Sequence, residues 1–568
     1  MSFIVFSYVW KPCHNSSQTS DFSCFTQVVI FKKYGVSGRA VVVGVANRTA
    51  SGFKHHNSIF GVHAFIFGGG SGGSVLASRL SEDPDVRVLL LEAGSNEVEE
   101  PLAEIPALTS FLQRSDFDWK TKSEPGDGFC LAMSKKRCSW PRGKVLGGSS
   151  TLGNMIYTRG NKKDFDKWAQ MGNTGWDFES VLPYFLKSED NRNRFKAADK
   201  KFHSQDGYLT VSDPAFKSPL TLSFMASAAE MGYQIRDVNA ENQTGFMLIQ
   251  STIRDGRRLS IAKAFLGPAS GKENLQLSLN SLVTKLRFNS KKTKVIGVSY
   301  VKNGTTLSAR AKGEIIISAG AVGTPGILLR SGIGPADHLE AMKIPVVRDA
   351  PVGKNLQDHI GICAMTFLAP NARGSSSNSN ETDLRAEIFK FLNHGKGSMT
   401  SSGIEAIAFV NSKFADASED FPDLQFQFIP GGVHVWKKWF TPLRSKRQWA
   451  VCSTLLRPES RGEIRLKSRN SKADLIILPN YFNSSKDLEI LVDSFRIMFN
   501  LSQTAAFASV GSSPYEMPFP GCEELALFSD DYFRCFLRHA AQSMHDPVGT
   551  AKMGPKNDST AVVDSKLR

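Results

Sequence analysis

The chain has 568 residues, a net charge of +15, 41% hydrophobic residues and 22% charged residues, the balance of an ordinary globular protein long enough to bury a sizeable core. No apolar run approaches the ~18 residues of a membrane-spanning helix, and the basic residues fall in short clusters such as Lys135–Lys136–Arg137, without the aromatic-interleaved stripe of a nucleic-acid surface. Eight Cys occur with no CxxC pair, which excludes a zinc ribbon and a thioredoxin-type redox motif.

Residues 1–62 show no clear periodicity. Met1–Trp10 is apolar but has no basic start and runs into Lys11–Pro12, so it lacks the pattern of a secretory signal. The stretch is read as a loosely ordered N-terminal extension. The first strong element is Ala64–Phe65–Ile66–Phe67, a short apolar run that predicts a buried parallel strand. Gly68-x-Gly70-x-x-Gly73 follows, then a helical pattern from Ser74 to Leu80, then a second apolar strand, Val86–Leu91, that ends at Glu92. In such a βαβ unit the first glycine makes the tight turn, the second lets the backbone approach a pyrophosphate, and the third lets helix and strand pack closely. The helix N-terminus adds free N–H groups and a partial positive charge. Glu92 lies about 20 residues beyond the last glycine, where an acid accepts the ribose hydroxyls. The acid argues against a 2′-phosphate, so the residues point to FAD or NAD.

Helical patterns recur at Lys163–Met171, Phe178–Lys187, Leu220–Met231, Pro325–Arg330 and Asp487–Ser502. Strand-like runs fill Leu275–Leu279, Val283–Phe288, Val295–Val301 and Glu314–Ile317, and later Ala364–Leu368, Leu424–Ile429 and Ala450–Leu456. Ser318–Gly323 resembles a second nucleotide loop, but it lacks the full glycine triplet and a following strand that ends in an acid, so no second site for NAD(P)H is expected. Asn371–Thr382 is rich in Ser and Asn and reads as a surface loop. Cys130 and Cys138 flank a short polar loop and are either a disulfide or two free thiols. Glycosylation triplets stand at Asn15, Asn47, Asn242, Asn303, Asn380, Asn483, Asn500 and Asn557, a weak pointer to an extracellular life.

Longer blocks are more specific. Pro141–Arg142–Gly143–Lys144–Val145–Leu146–Gly147–Gly148–Ser149–Ser150 resembles the first signature of the glucose–methanol–choline oxidoreductases, and Gly320–Gly334 resembles the second. Val352–Gly353–Lys354–Asn355–Leu356–Gln357–Asp358–His359 and Pro547–Val548–Gly549–Thr550, followed by Lys552–Met553–Gly554, are similar to further blocks of the family. The resemblance runs from about residue 64 to the end and is strongest to the insect glucose dehydrogenases.

It implies FAD as cofactor, bound by Gly68, Gly70, Gly73 and Glu92. Gly147, Gly148, Ser149 and Ser150 would lie along the pyrophosphate and flavin, with Val145 beside the cofactor and the backbone of Val283 against adenine. A Gly–Gly–Ser–Ser turn supplies bare backbone and hydroxyl donors suited to such a ligand. The implied reaction is oxidation of an alcohol or sugar: a base takes the hydroxyl proton while the carbinol hydride moves to flavin N5. The electron acceptor, quinone or oxygen, is left open. Covalent flavin attachment in the family uses a His near this loop; none stands between Ala64 and Lys201, so non-covalent binding is expected, and no metal site.

The chain departs from the family pattern in three places. The position that normally carries Asn or His after Gly–Gly–Ser–Ser-x-x is Gly153, and Asn154, one residue late, is the candidate for that polar group. The catalytic His that normally precedes Pro–Val–Gly–Thr is replaced by Asp546, and His545, one residue early, is the candidate base or an ordinary His. Family members also continue beyond the segment around Val563–Asp564 with a second catalytic His or Asn, so the dyad is expected to be incomplete in this sequence. The expected fold is α/β. A doubly wound, Rossmann-like FAD-binding domain would occupy 63–355, and an antiparallel sheet with helices would form a substrate domain over 356–568. The expected function is FAD-dependent oxidation of a CH–OH donor; the alternative is a non-catalytic flavin-fold protein.

Overall fold

The computed structural model describes residues 4–12, 25–33, 62–372, 381–432, 446–470 and 474–568. Residues 373–380 of the Ser/Asn-rich stretch and the triplets at Asn15, Asn47 and Asn380 lie outside them. The chain divides into two units, 1–56 and 57–568. In the first, Ile4–Pro12 and Phe25–Lys33 pair antiparallel, a regular element that the sequence does not announce.

The second unit holds two main sheets. The first is parallel and built from four short apolar strands: β1 (Ala64–Phe67), β2 (Val88–Leu91), β3 (Leu275–Ser278) and β4 (Glu314–Ile317). Their order is β3-β2-β1-β4, with every pair parallel. Every residue of β1 and β2 is buried, as expected of central strands with both faces covered. Helix α1 (Ser71–Leu80) makes the crossover from β1 to β2. A three-stranded antiparallel meander, Ser281–Phe288, Val295–Lys302 and Thr305–Arg310, carries the chain from β3 to β4. Helix α2 then spans Gly320–Arg330, so the segment that resembles a second nucleotide loop is the start of a helix.

The second sheet has eight strands. Its antiparallel centre is Gln448–Leu455, Leu424–Ile429 and Ala406–Val410. The long helix Ser485–Gln503 covers it. Aromatic rings fill the space between: Trp449 stacks on Phe367 and on Phe507, each at 4.2 Å between ring centroids. The short strand Ile360–Ile362 pairs both with Gln448–Leu455 and with Gln542–Ser543. That double pairing fixes the two chain segments that carry His359 and His545.

Three disulfides occur among the described residues: Cys130–Cys138, Cys363–Cys452 and Cys522–Cys535. The first is one of the two states open from the sequence.

Candidate active site

The glycine-rich loop joins β1 to α1. Gly68 has φ +97°, and a Cβ on it would stand 2.3 Å from the Ser318 carbonyl oxygen. A Cβ on Gly73 would stand 2.0 Å from the carbonyl oxygen of Gly68. Neither position accepts another residue without displacing backbone. Gly70 is the N-cap of α1 and offers no side-chain cap, and the first turn of the helix holds no acid. The free N–H groups of that turn therefore face outward, with Ser71 and Gly72 exposed.

Glu92, at the end of β2, is 5% exposed. Its carboxylate accepts from the amides of Gly69 at 2.7 Å and Gly94 at 2.8 Å. Burial raises its pKa to about 7, against the lowering effect of those amides. One side chain thus ties the glycine loop to the end of the neighbouring strand.

The second loop, Gly147–Ser150, lies directly against the first. Gly147 donates to the Gly69 carbonyl at 2.8 Å, and a Cβ on Gly148 would stand 2.6 Å from the Cα of Gly70. Ser149 Oγ accepts from the Gly143 amide at 3.1 Å. Ser150 Oγ donates to the Gly147 carbonyl at 2.7 Å and accepts from Ile261 at 3.1 Å. Val145 is fully buried in a cluster with Ala103, Leu112, Phe117 and Leu152. Asn154 and Gly153 both face solvent. Val283 packs between the parallel sheet and the meander, where the ladder is irregular between Val283 and Lys285. Two bare backbones meeting beside an uncapped helix N-terminus, with a buried acid behind them, form a cradle that fits FAD. Glu92 would take the ribose hydroxyls, and the amides of both loops the pyrophosphate.

Arg142 links this cradle to the 545–550 segment. Its guanidinium donates to the His545 carbonyl at 2.7 Å, and its amide donates to Asp118 at 2.9 Å. His545 has φ +75°. Burial, assisted by the Arg142 charge, pulls its imidazole pKa down to about 4, so it is neutral at pH 7. Asp546 turns the other way. Its amide donates to Asp358 at 3.1 Å, and its carboxylate, 59% exposed, stands 3.5 Å from His359 Nδ1. Asp358 is buried and accepts from the Tyr481 hydroxyl; burial raises its pKa to about 6.

Arg142, Asp358, His359 and Tyr481 join this corner although none was singled out from the sequence. The first three lie inside recognisable blocks, which was a usable signal. Tyr481 carries none, since it reaches Asp358 from a separate segment 123 residues away.

A parallel sheet with a glycine loop at its carboxyl end, facing a second sheet across an acid- and histidine-lined corner, is the architecture of a flavin-type dinucleotide oxidoreductase. Models of the GMC oxidoreductases match residues 62–361 and 458–568, and the chain belongs to that family. It is 37% identical over 511 residues to glucose dehydrogenase (FAD, quinone) of Drosophila melanogaster, covering 89% of this chain and 80% of the relative. It is 34% identical to the mitochondrial choline dehydrogenase of Homo sapiens, covering 89% and 82%. Among solved structures, pyridoxine 4-oxidase from Mesorbium loti superposes with a TM-score of 0.75 at 27% identity, covering 89% of this chain and 92% of that one.

Proposed function

We propose that the chain is an FAD-dependent dehydrogenase of alcohols or sugars that oxidises a CH–OH group to a carbonyl. The observation that carries this reading is the contact of Gly70 with Gly148 in front of Glu92, joined through Arg142 to the corner of His545, Asp546 and His359. When bound, FAD supplies the two-electron acceptor for the carbinol hydride. The protein's own residues hold the adenosine end through Glu92 and the pyrophosphate through the two loops, and they take the hydroxyl proton at the corner beyond. A small alcohol or sugar is the substrate, and a quinone or oxygen receives the electrons afterwards. The similarity to glucose and choline dehydrogenases supports a hydroxylated donor of that size.

The purified protein is expected to be yellow and to release all its flavin on acid precipitation. Glucose, choline and a simple primary alcohol, mixed anaerobically with it, test the reaction by bleaching of the oxidised-flavin absorbance. Bound flavin that none of a broad panel of alcohols bleaches would favour the second reading, a non-catalytic flavoprotein. One feature supports that alternative: the neutral, weakly basic state of His545.

A further inference from the structure

His545 is poorly suited to accept a proton, and the surrounding groups offer another acceptor. His359 Nε2 lies 3.1 Å from the Leu456 carbonyl oxygen. A carbonyl oxygen only accepts, so Nε2 must carry a proton. The other ring nitrogen, Nδ1, faces the Asp546 carboxylate at 3.5 Å, and an ionised carboxylate also only accepts. With both ring nitrogens aimed at acceptors, the contact is favourable only when one further proton resides on Nδ1 or on Asp546. Remove that proton, and the Nδ1 lone pair confronts the carboxylate.

We infer that Asp546 and His359 form a one-proton acid–base couple, with Asp546 the group that accepts the hydroxyl proton of the alcohol and His359 the positioning residue behind it. The inference rests on the alcohol-oxidation reading for its substrate, but the couple itself does not. In the oxidation step the O–H bond of the alcohol breaks and its proton passes to the Asp546 carboxylate, to be shared with His359 Nδ1. The carbinol hydrogen leaves with its electron pair to the bound FAD, and the carbon–oxygen bond becomes a carbonyl. Asp546 is placed for this. Its side chain is the more exposed member of the pair, and the preceding residue, His545, is bound through its carbonyl by Arg142, five residues before the Gly147–Ser150 loop.

The charged groups around the couple act in both directions. Asp358, buried next to it, adds negative charge when ionised and is bound by Tyr481 and by the Asp546 amide. Arg142, with Asp118 at its back, adds positive charge on the side of His545. For His359 itself, burial disfavours the cation, but Asp546 and Asp358 outweigh it and hold the imidazole pKa above its ordinary value. The basic form of the couple therefore appears only above the usual histidine range, and the rate of alcohol oxidation should rise with pH there.

Two measurements on the full-length flavoprotein test this. The first is a pH titration of the histidine side chains by NMR with ring-15N-labelled histidine, the His359 signal being assigned by its loss in His359→Gln. In the parent, His359 should titrate above 6.5, and in Asp546→Asn its midpoint should fall. The second is the pH profile of anaerobic flavin reduction. Asp546→Asn should slow reduction about 10²–10³-fold at unchanged flavin content. His359→Gln should shift the rising limb to lower pH, and His545→Gln should leave the position of that limb where it is. A His359 midpoint near 6.5 that ignores Asp546→Asn overturns the couple, even in an enzyme that oxidises alcohols. A limb that disappears in His545→Gln but survives in Asp546→Asn overturns the assignment of the proton acceptor. A raised, Asp546-dependent midpoint in a protein that no alcohol reduces upholds the couple and overturns the alcohol-oxidation reading with its proton-accepting step.

Discussion

Burial makes Glu92, the proposed ribose ligand, a pH-dependent one. The carboxyl has a pKa of about 7 because desolvation outweighs the amides of Gly94, Gly69 and Ala93. Ribose hydroxyls donate to the ionised form, so FAD binding and deprotonation favour each other. The dissociation constant for FAD should therefore fall as pH rises through about 7 and level off above it, as measured by quenching of free-flavin fluorescence. Glu92→Gln should flatten that dependence. Glu92→Ala should weaken binding by about 1.5–3 kcal/mol at alkaline pH. The position of Glu92 was legible in the sequence because an acid that closes an apolar strand after a glycine loop has few other uses. The state of His545 was not, since its neutrality comes from burial, helped by the charge of Arg142, which lies 403 residues away in the chain.

Among the elements, those with strong local periodicity were the legible ones. The helix read at Phe178–Lys187 spans Phe178–Ser188, and the strands Glu314–Ile317 and Leu424–Ile429 fall where expected. The helix at Gly320–Arg330 begins five residues earlier than its apolar run, because Gly320 and Gly323 hide the period. Asp530–Ala540 escaped notice as a helix, although Tyr532, Phe533, Phe536, Leu537 and Ala540 recur at helical spacing along its buried face. The strands Glu189–Asn191 and Leu209–Val211 were equally illegible, being three residues each and the first wholly polar. They are held by a buried ionic group. Arg159 pairs with Glu189 at 2.8 Å, and His203 lies between Glu189 and Asp237, 3.2 Å from each. Burial alone would discharge His203, but the two carboxylates outweigh it and raise its pKa to about 9. A group with a raised folded-state pKa stabilises the protein fully below its unfolded value of about 6.5, and that contribution is lost as pH rises through the folded value. Unfolding followed by tryptophan fluorescence should show stability declining between about pH 6.5 and 9 by an amount on the order of 3 kcal/mol. In His203→Gln this decline should be largely absent.

On the scale of the whole molecule, covalent cross-links matter most where they close long loops. Cys363–Cys452 spans 89 residues and joins two segments of the eight-stranded sheet, whereas Cys130–Cys138 spans 8. Chain-entropy reasoning assigns the first about 4–5 kcal/mol and the second about 2–3 kcal/mol. The double variant Cys363→Ser/Cys452→Ser should accordingly lose more stability in urea than Cys130→Ser/Cys138→Ser. Only the short-range pair could be suspected from spacing; Cys363 and Cys452 become neighbours through strand pairing, which no local pattern encodes.

The order of strands in the parallel sheet also has a bearing on how the protein is made. A ribosome delivers β1, the glycine loop and β2 early, but β3 begins only at Leu275 and β4 at Glu314. The Gly147–Ser150 loop emerges between β2 and β3, and the Asp546 corner emerges after all four strands. A nascent chain that has produced the fingerprint glycines therefore owns half a cradle until the second loop follows, and half a parallel sheet until Leu275–Ser278 and Glu314–Ile317 arrive. Flavin capture becomes an event that waits for distant segments to arrive, and a cell starved of FAD would accumulate a polypeptide that already carries all four strands rather than an early, loosely folded one.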